Sequence, residues 1–401
     1  MKTALQVEPA HRKQVLDDQR HLKMASSAHA YVRGNTIRFY DWLSKGNAPA
    51  SLPSGPPIWI CGDCHIGNLG PVANLDGRVE IQIRDLDQTV IGNPAHDLLR
   101  LGLSLAMAAR SSDLPGVTTA FMLEAMIDGY LGELSSRHKE QDPNQIAPIQ
   151  KVMQEAFNRK WKHLAEERIV DVTPTIPLGK RFWSLTEDER EHLRRFFEGE
   201  KARTLVQYLH QADEGQPIRM LDAAYWMKGC SSLGRLRYAV LVGVGKKNRH
   251  GLRMIDIKEA TRAAAPTAPN VDMPTNNAER VVCGALALSP FLGARMLPST
   301  FAGRQVVARE LRPQDLKFEL AALTQQEAIL SARLFASVVG KAHARQMSPD
   351  IRKAWAKQLK SRHSRGLEAP GWLWTSVVSL VADHEASYLE HCRQYALSRV
   401  G

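Results

Sequence analysis

A chain of 401 residues with 44% apolar and 24% charged side chains has the composition of a globular protein, and room for two or three core-bearing units. No apolar run approaches the roughly 20 residues of a membrane span, and five scattered cysteines exclude a disulfide framework and point to reduced thiols in a cytoplasmic protein. The formal net charge of +11 favours anionic partners: nucleotides, phosphorylated metabolites, nucleic acid or an acidic protein.

In chain order, residues 9–45 read as helical, with a break at Arg33-Gly34-Asn35. Residues 46–56, with Gly, Pro and Ser, form a loop, and residues 57–91 are strand and loop. Asn93-Pro94 opens a helix that runs to about Ser111, because Asn caps an N-terminus and Pro suits the first turn. Helices are predicted over 116–135, 143–168, 186–198 and 200–212. The pattern changes near residue 222, where Tyr225 to Lys228 leads into Gly229 to Gly234. Arg237 to Val244 and Leu252 to Glu259 read as strands joined by a basic hairpin turn, Gly245 to Gly251. Ala263 to Asn276 is an Ala- and Pro-rich loop, and Asn277 to Leu288 a helix carrying Glu279. Two short strands are expected, Ala294–Leu297 and Gln305–Glu310, then a long helix over 324–347. The tail from Ile351 to Val400 is helical around Pro370-Gly371.

The most informative stretch is Ile60-Cys61-Gly62-Asp63-Cys64-His65-Ile66-Gly67-Asn68-Leu69-Gly70. Asp63, Asn68 five positions later, and Asp85 after the apolar run Val79 to Ile83 form a phosphoryl-transfer pattern. One carboxylate accepts or orients the proton of an attacking hydroxyl. The Asn and the other carboxylate supply the hard oxygen ligands that Mg²⁺ takes. Gly62 and Gly67 let the backbone turn tightly around the site. Asp-x4-Asn alone fits any strand that ends in a polar loop; the repeated strand-then-acid arrangement carries the reading. Cys61 to His65 also fits C-x-x-C-H, a covalent haem attachment signature. That chemistry belongs to exported proteins, and Met1 to Pro9 offers no apolar core for a signal peptide, so haem ranks below phosphotransfer. A zinc pair at Cys61 and Cys64 lacks the second C-x-x-C that would complete four ligands.

A second constellation follows. Gly229-Cys230-Ser231-Ser232-Leu233-Gly234 sits between two strands, where Gly and Ser let backbone N–H groups approach phosphate oxygens. Lys258 ends the strand after the hairpin, and Glu279 on the next helix is placed to pair with it. The plainer account is a β-hairpin sheet with a surface Lys and an exposed Glu.

This succession resembles the small lobe of the protein-kinase-like superfamily. Gly62 to Asn68, then Asp85, then Gly92-Asn93-Pro94-Ala95-His96-Asp97-Leu98 resembles the catalytic core of aminoglycoside-phosphotransferase-like kinases. Over nearly its full length the chain resembles the DUF2252 family of bacterial proteins. The matching segments are Lys23-Met24 through Tyr31-Val32-Arg33-Gly34, Gly62–Gly70, Arg84-Asp85-Leu86-Asp87, Ser232–Gly234, Ile257-Lys258-Glu259-Ala260, Arg309 to Pro313 and Ala342-His343-Ala344-Arg345.

The resemblance implies an α+β, bilobal protein-kinase-like fold. It is circularly permuted, because the catalytic residues precede the glycine loop and Lys258. Residues 1–221 would be a mainly helical large lobe, 222–312 a small antiparallel-sheet lobe for the nucleotide, and 313–401 the hinge and helices completing the large lobe. It implies Asp63 as catalytic base, Asn68 and Asp85 as Mg²⁺ ligands, and Asp87 as a further ligand or an exposed acid. Lys258 would pair with phosphates, with Glu279 or Glu259 as its partner. Gly229, Ser231, Ser232 and Gly234 would cover the phosphates, and Glu310 to Arg312 would form the hinge beside adenine. Asp97 resembles the buried Asp that braces a catalytic loop, or equally is a helix Asp bonded to nearby backbone. Two departures stand out: Cys230 and the serines in the glycine loop, and Arg84 to Gln88 where relatives commonly read N-D-F-D-E.

Among single residues, His65 orients the loop, contacts substrate, or is satisfied by a backbone carbonyl. Arg33 by default is solvated, and otherwise binds a phosphate or an acidic substrate; His343 and Arg345 favour the dipole at a helix end. The expected function is an ATP- and Mg²⁺-dependent phosphotransferase acting on an unknown small-molecule or protein hydroxyl, with an anionic or phosphorylated acceptor as partner. The alternatives are a non-catalytic nucleotide-binding pseudokinase, an AMP transferase reusing the same residues, and last a basic nucleic-acid-binding protein, for which no recognition motif is present.

Overall fold

Three short helices open the chain: α1 (Pro9–Ala25), α2 (Ala28–Gly34) and α3 (Thr36–Ser44). Asn35 ends α2 and caps α3, its side chain accepting the Arg38 N–H at 3.2 Å. The computed structural model describes residues 7–46, 52–135, 146–158, 175–210, 218–228, 234–244, 251–316, 323–360 and 369–400. Among these residues the chain is an α+β protein with thirteen α-helices, a six-strand antiparallel sheet and two two-stranded sheets.

Two short antiparallel pairs frame the first motif. β1 (Ile58–Ile60) pairs with β4 (Val90–Gly92), and β2 (Leu69–Ala73) with β3 (Val79–Ile83). Helix α4 (Pro94–Ser111) follows, opened by Asn93 and Pro94. Leu98, Leu99, Leu101, Leu103 and Leu105 are all buried, as in a helix enclosed on every side. It packs with α5 (Gly116–Leu134), α11 (Gln325–Ala344) and α13 (Gly371–Val400) around Trp42, Tyr130, Phe335, Trp355 and Trp372. The other helices in chain order are α6 (Ala147–Asn158), α7 (Glu187–Glu198), α8 (Glu200–His210), α9 (Asn277–Leu288), α10 (Pro290–Gly293) and α12 (Pro349–Lys360).

The large sheet contains β5 (Phe182–Trp183), β6 (Ile218–Trp226), β7 (Arg237–Val244), β8 (Leu252–Glu259), β9 (Met296–Phe301) and β10 (Arg304–Leu311). Their spatial order is β5-β6-β7-β8-β10-β9, with α9 inserted between β8 and β9 in sequence. Side chains alternate across a strand, so one sheet face presents Tyr238, Val240, Val242, Ile255 and Ile257 to α7 and α8. The opposite face carries Arg237, Asp256, Lys258, Val307 and Arg309, in cross-strand register.

Several expectations shift. Helices α7 and α8, expected with the helical body, pack on the sheet through Leu193, Phe197, Leu205 and Val206, so the packing unit around the sheet begins before residue 222. The strand expected over Ala294–Leu297 runs instead over Met296–Phe301. Its first residues are taken by the end of α10 and by Arg295, buried in a bond network with Asp315. Of the helix expected over 143–168, Ala147–Asn158 is described; residues 159–168 lie outside the described residues. So do the hairpin tip 245–250 and Gly229, Cys230, Ser231 and Ser232 of the glycine loop. No helix among the described residues is long and apolar enough to cross a membrane.

Candidate active site

The loop after β1 is fixed from below by a buried carboxylate. Asp97, in the first turn of α4, accepts the backbone N–H of Cys61 at 2.7 Å and of Gly62 at 2.9 Å. His343 of α11 stands 3.2 Å from the same carboxylate through Nε2, and 2.9 Å from the Tyr130 hydroxyl through Nδ1. Trp355 Nε1 donates to that hydroxyl at 3.0 Å. His343, in the last turn of its helix as expected, is thus also a wholly buried link between loop and core. Gly62 adopts φ +73°, and a Cβ there would lie 2.1 Å from the Gln88 carbonyl oxygen, so only glycine fits. Gly67 is small for a different reason: a Cβ would lie 2.7 Å from the Arg33 guanidinium packed against it.

Two segments distant in sequence meet above this loop. Lys258 Nζ lies 3.3 Å from Asp85 Oδ1, 173 residues away, and forms a second ion pair with Asp87. Asn68 Nδ2 donates to the Asp85 carbonyl at 2.7 Å and to the Asp63 carbonyl at 3.3 Å. Asp85 sits deep among its neighbours, yet 49% of its side chain opens to the cavity. Burial opposes its ionisation, but Lys258, Arg309 and Arg237 outweigh that and hold its carboxyl below the usual range. Asp256, gripped by Arg237 at 2.6 and 2.8 Å, is held low in the same way.

These groups line a cavity of about 410 Å³ between the sheet and α1–α2. Seven Lys or Arg side chains line it against four Asp or Glu, so its potential suits polyanions. Ala260, Val281, Leu292, Met296 and Val307 form an apolar wall. Arg84 is on the wall too, but its guanidinium donates to the Asp315 carbonyl at 2.8 Å, and burial lowers its pKa to about 10. Asp63 is not on the wall. It lies behind His65, 3.8 Å away, and accepts from the fully buried Arg100 at 2.9 Å. Burial raises the Asp63 carboxyl despite Arg100, and burial followed by Arg100 and Arg33 drives the His65 imidazole well below its usual value.

Two expected roles are corrected. Glu279 stands exposed in the first turn of α9, and no ion pair joins it to Lys258 among the described residues. Asn276 caps α9 and turns position 280, not 279, inward. The buried Arg280 then donates to the carbonyls of Asp87 at 3.0 Å, Thr261 at 2.8 Å and Thr89, tying α9 to the acidic segment. Glu259 accepts from Leu236 N–H and Arg304, so it is not the Lys258 partner either. Glu310 is buried between Arg253 at 2.9 Å and Arg312 at 2.8 Å and does not line the cavity. Asp87, placed between ligand and bystander by sequence, is engaged by Lys258 and by Arg235 at 3.5 Å. Gly234 keeps φ +90° beside Asp17 of α1.

Cys61 and Cys64 are buried, and neither is exposed for bonding a haem. The Cys64 contact and then burial push the Cys61 thiol well above its usual pKa. No cluster of three or more His, Cys, Asp or Glu suited to a metal occurs among the described residues. Mg²⁺ needs no such cluster, since one or two carboxylates complete its shell together with substrate phosphates and water. Asn68, with its amide nitrogen committed to carbonyls, and the ionised, half-open Asp85 fit that donor set.

Fold and cleft together define an α+β protein whose sheet-borne Lys meets a loop-borne acidic pair in a cation-rich cavity. The chain belongs to the family described as uncharacterized protein conserved in bacteria (DUF2252), whose family model matches residues 12–394. No curated protein and no solved structure matches it.

Proposed function

We propose that the chain is an ATP- and Mg²⁺-dependent phosphotransferase with a circularly permuted, protein-kinase-like arrangement. The observation that carries this reading is the meeting of Lys258 with Asp85 and Asp87 next to Asn68. The order strand, strand, Lys-bearing strand, helices, two strands supports it. In this reading the apolar wall takes the base, and Lys258 and Arg237 take phosphate oxygens. Asn68 and Asp85 would hold Mg²⁺, which neutralises charge on the transferred group when bound. Lys258 then exchanges its carboxylate contacts for phosphate contacts. Asp63 and His65 form the basic centre for the acceptor hydroxyl.

The test is incubation of the full chain with Mg·ATP and a bacterial metabolite extract, read by mass spectrometry. The expected result is an acceptor that gains one phosphate, with the gain lost in Asp85→Ala and Lys258→Met. Gain of AMP instead, or nucleotide binding with no product, contradicts the proposal and favours nucleotide transfer or a pseudokinase respectively.

A further inference from the structure

Beyond the groups given to the nucleotide, the cavity lining continues toward His65. Its wall there comes from α1 and α2, through Lys23, Ser26 and Arg33, and from His65 and Gly67 of the loop. Arg33 packs on Gly67, so its guanidinium sits one residue from Asn68. His65 lines the cavity, and its buried Nδ1 has no hydrogen-bond partner among the described residues. Its other nitrogen faces Asp63 at 3.8 Å, and Arg100 holds Asp63 from behind at 2.9 Å. A buried ring nitrogen without a partner is a costly arrangement that a ligand hydroxyl relieves.

We infer that this end is the acceptor subsite and that the acceptor is a small anionic alcohol, its hydroxyl at His65 Nδ1 and its anionic group on Arg33 and Lys23. The inference rests on the phosphotransfer reading for its chemistry. The acceptor oxygen forms a bond to the γ-phosphorus while the bridging P–O bond breaks and its electron pair leaves on ADP. The hydroxyl proton passes to His65 Nδ1, and the Asp63 carboxylate stabilises the imidazolium. Burial chiefly, with Arg33 and Arg100 adding to it, lowers the neighbouring His29 to about 4, so both guanidiniums bear on this end of the cavity. A polycationic acceptor such as an aminoglycoside would be repelled from the two cations.

The test is calorimetric titration of inorganic phosphate, and separately acetate, into the full chain with and without a non-hydrolysable ATP analogue and Mg²⁺. Saturable binding of either anion in the presence of the analogue is expected, weakened about tenfold or more in Arg33→Met. Phosphate being the tighter probe would point to a phosphorylated acceptor, acetate to a carboxylic one. Lys23→Met, at an exposed position, and Gly67→Ala, which displaces only the tip of Arg33, are expected to weaken it without unfolding the chain. Undiminished binding in all three variants, or none of either anion, overturns the subsite. Failure of the ATP analogue to bind while anion binding still depends on Arg33 overturns the phosphotransfer reading instead and leaves the anion site standing.

Discussion

Asp85 combines a half-open carboxylate with cationic neighbours that keep it ionised, as a cation ligand requires. Its removal takes little from the packed core, so Asp85→Ala should unfold in urea within about 1 kcal/mol of the wild type. The same variant should lose about 10²-fold or more in turnover. Asp63 and His65 behave as a pair: burial raises the carboxyl from its ordinary 3.8, and burial with Arg100 and Arg33 lowers the imidazole from 6.5. The imidazole must be free of its proton to act, so kcat/KM should fall on the acid side with its limb below the ordinary imidazole value of 6.5. A limb above 6.5 would contradict the assignment. The meeting of Asn68, Asp85 and Lys258 was legible in the sequence, because an acid at a strand end and a strand-terminal Lys leave a local signature; that Asp63 lies off the cavity wall, against His65 and Arg100, was not. Glu279 misled, because helix register depends on where Asn276 caps α9 and not on composition. The link from Asp97 to His343 crosses 246 residues and leaves no local trace.

The elements that hold these residues are joined by buried polar links rather than by apolar contact alone. Tyr130 ties α5 to α11 and α12 through His343 and Trp355. Tyr130→Phe should cost about 1–3 kcal/mol by leaving the Trp355 N–H and the His343 Nδ1 without their partner, a loss readable by urea denaturation. Arg280 serves three carbonyls between α9 and the segment after Asp85. Arg280→Met should lower turnover by displacing Asp87, while the Lys258–Asp85 ion pair remains; an unchanged rate would make Arg280 purely structural. Most helices were readable from apolar spacing, and α4 from its Asn93-Pro94 start; the capping boxes of Thr186 and Thr324 on α7 and α11 emerge only in the structure. The β9 strand was misplaced because Arg295, an unremarkable position in sequence, is consumed by its buried contact with Asp315.

At the scale of the molecule, α1 is a helix about 25 Å long whose last turn reaches the cavity through Lys23. Its first half is fixed to the sheet side by Arg12, which donates to Glu189 at 2.6 Å, and by the buried Leu16. Its far end is held by the Tyr388 hydroxyl, which donates to the Ala25 carbonyl at 3.1 Å. Leu16→Ala should cost about 2–5 kcal/mol and expose both sides of the cavity together. The acidic groups at the sheet set the acid sensitivity of the whole. Asp256 is held below its ordinary 3.8, so it contributes stability at pH above that value and loses it as pH falls below it. The melting midpoint should therefore drop steeply below pH 3.8. The convergence of Lys258 on Asp85 from the far half of the chain is the feature on which the functional account stands. A crystal structure of the full chain with a non-hydrolysable ATP analogue and Mg²⁺ tests it most directly. The account predicts phosphate oxygens about 3 Å from Lys258 Nζ and a metal shared by Asn68 and Asp85. A nucleotide bound away from Lys258, with the Lys258–Asp85 contact intact, would contradict it.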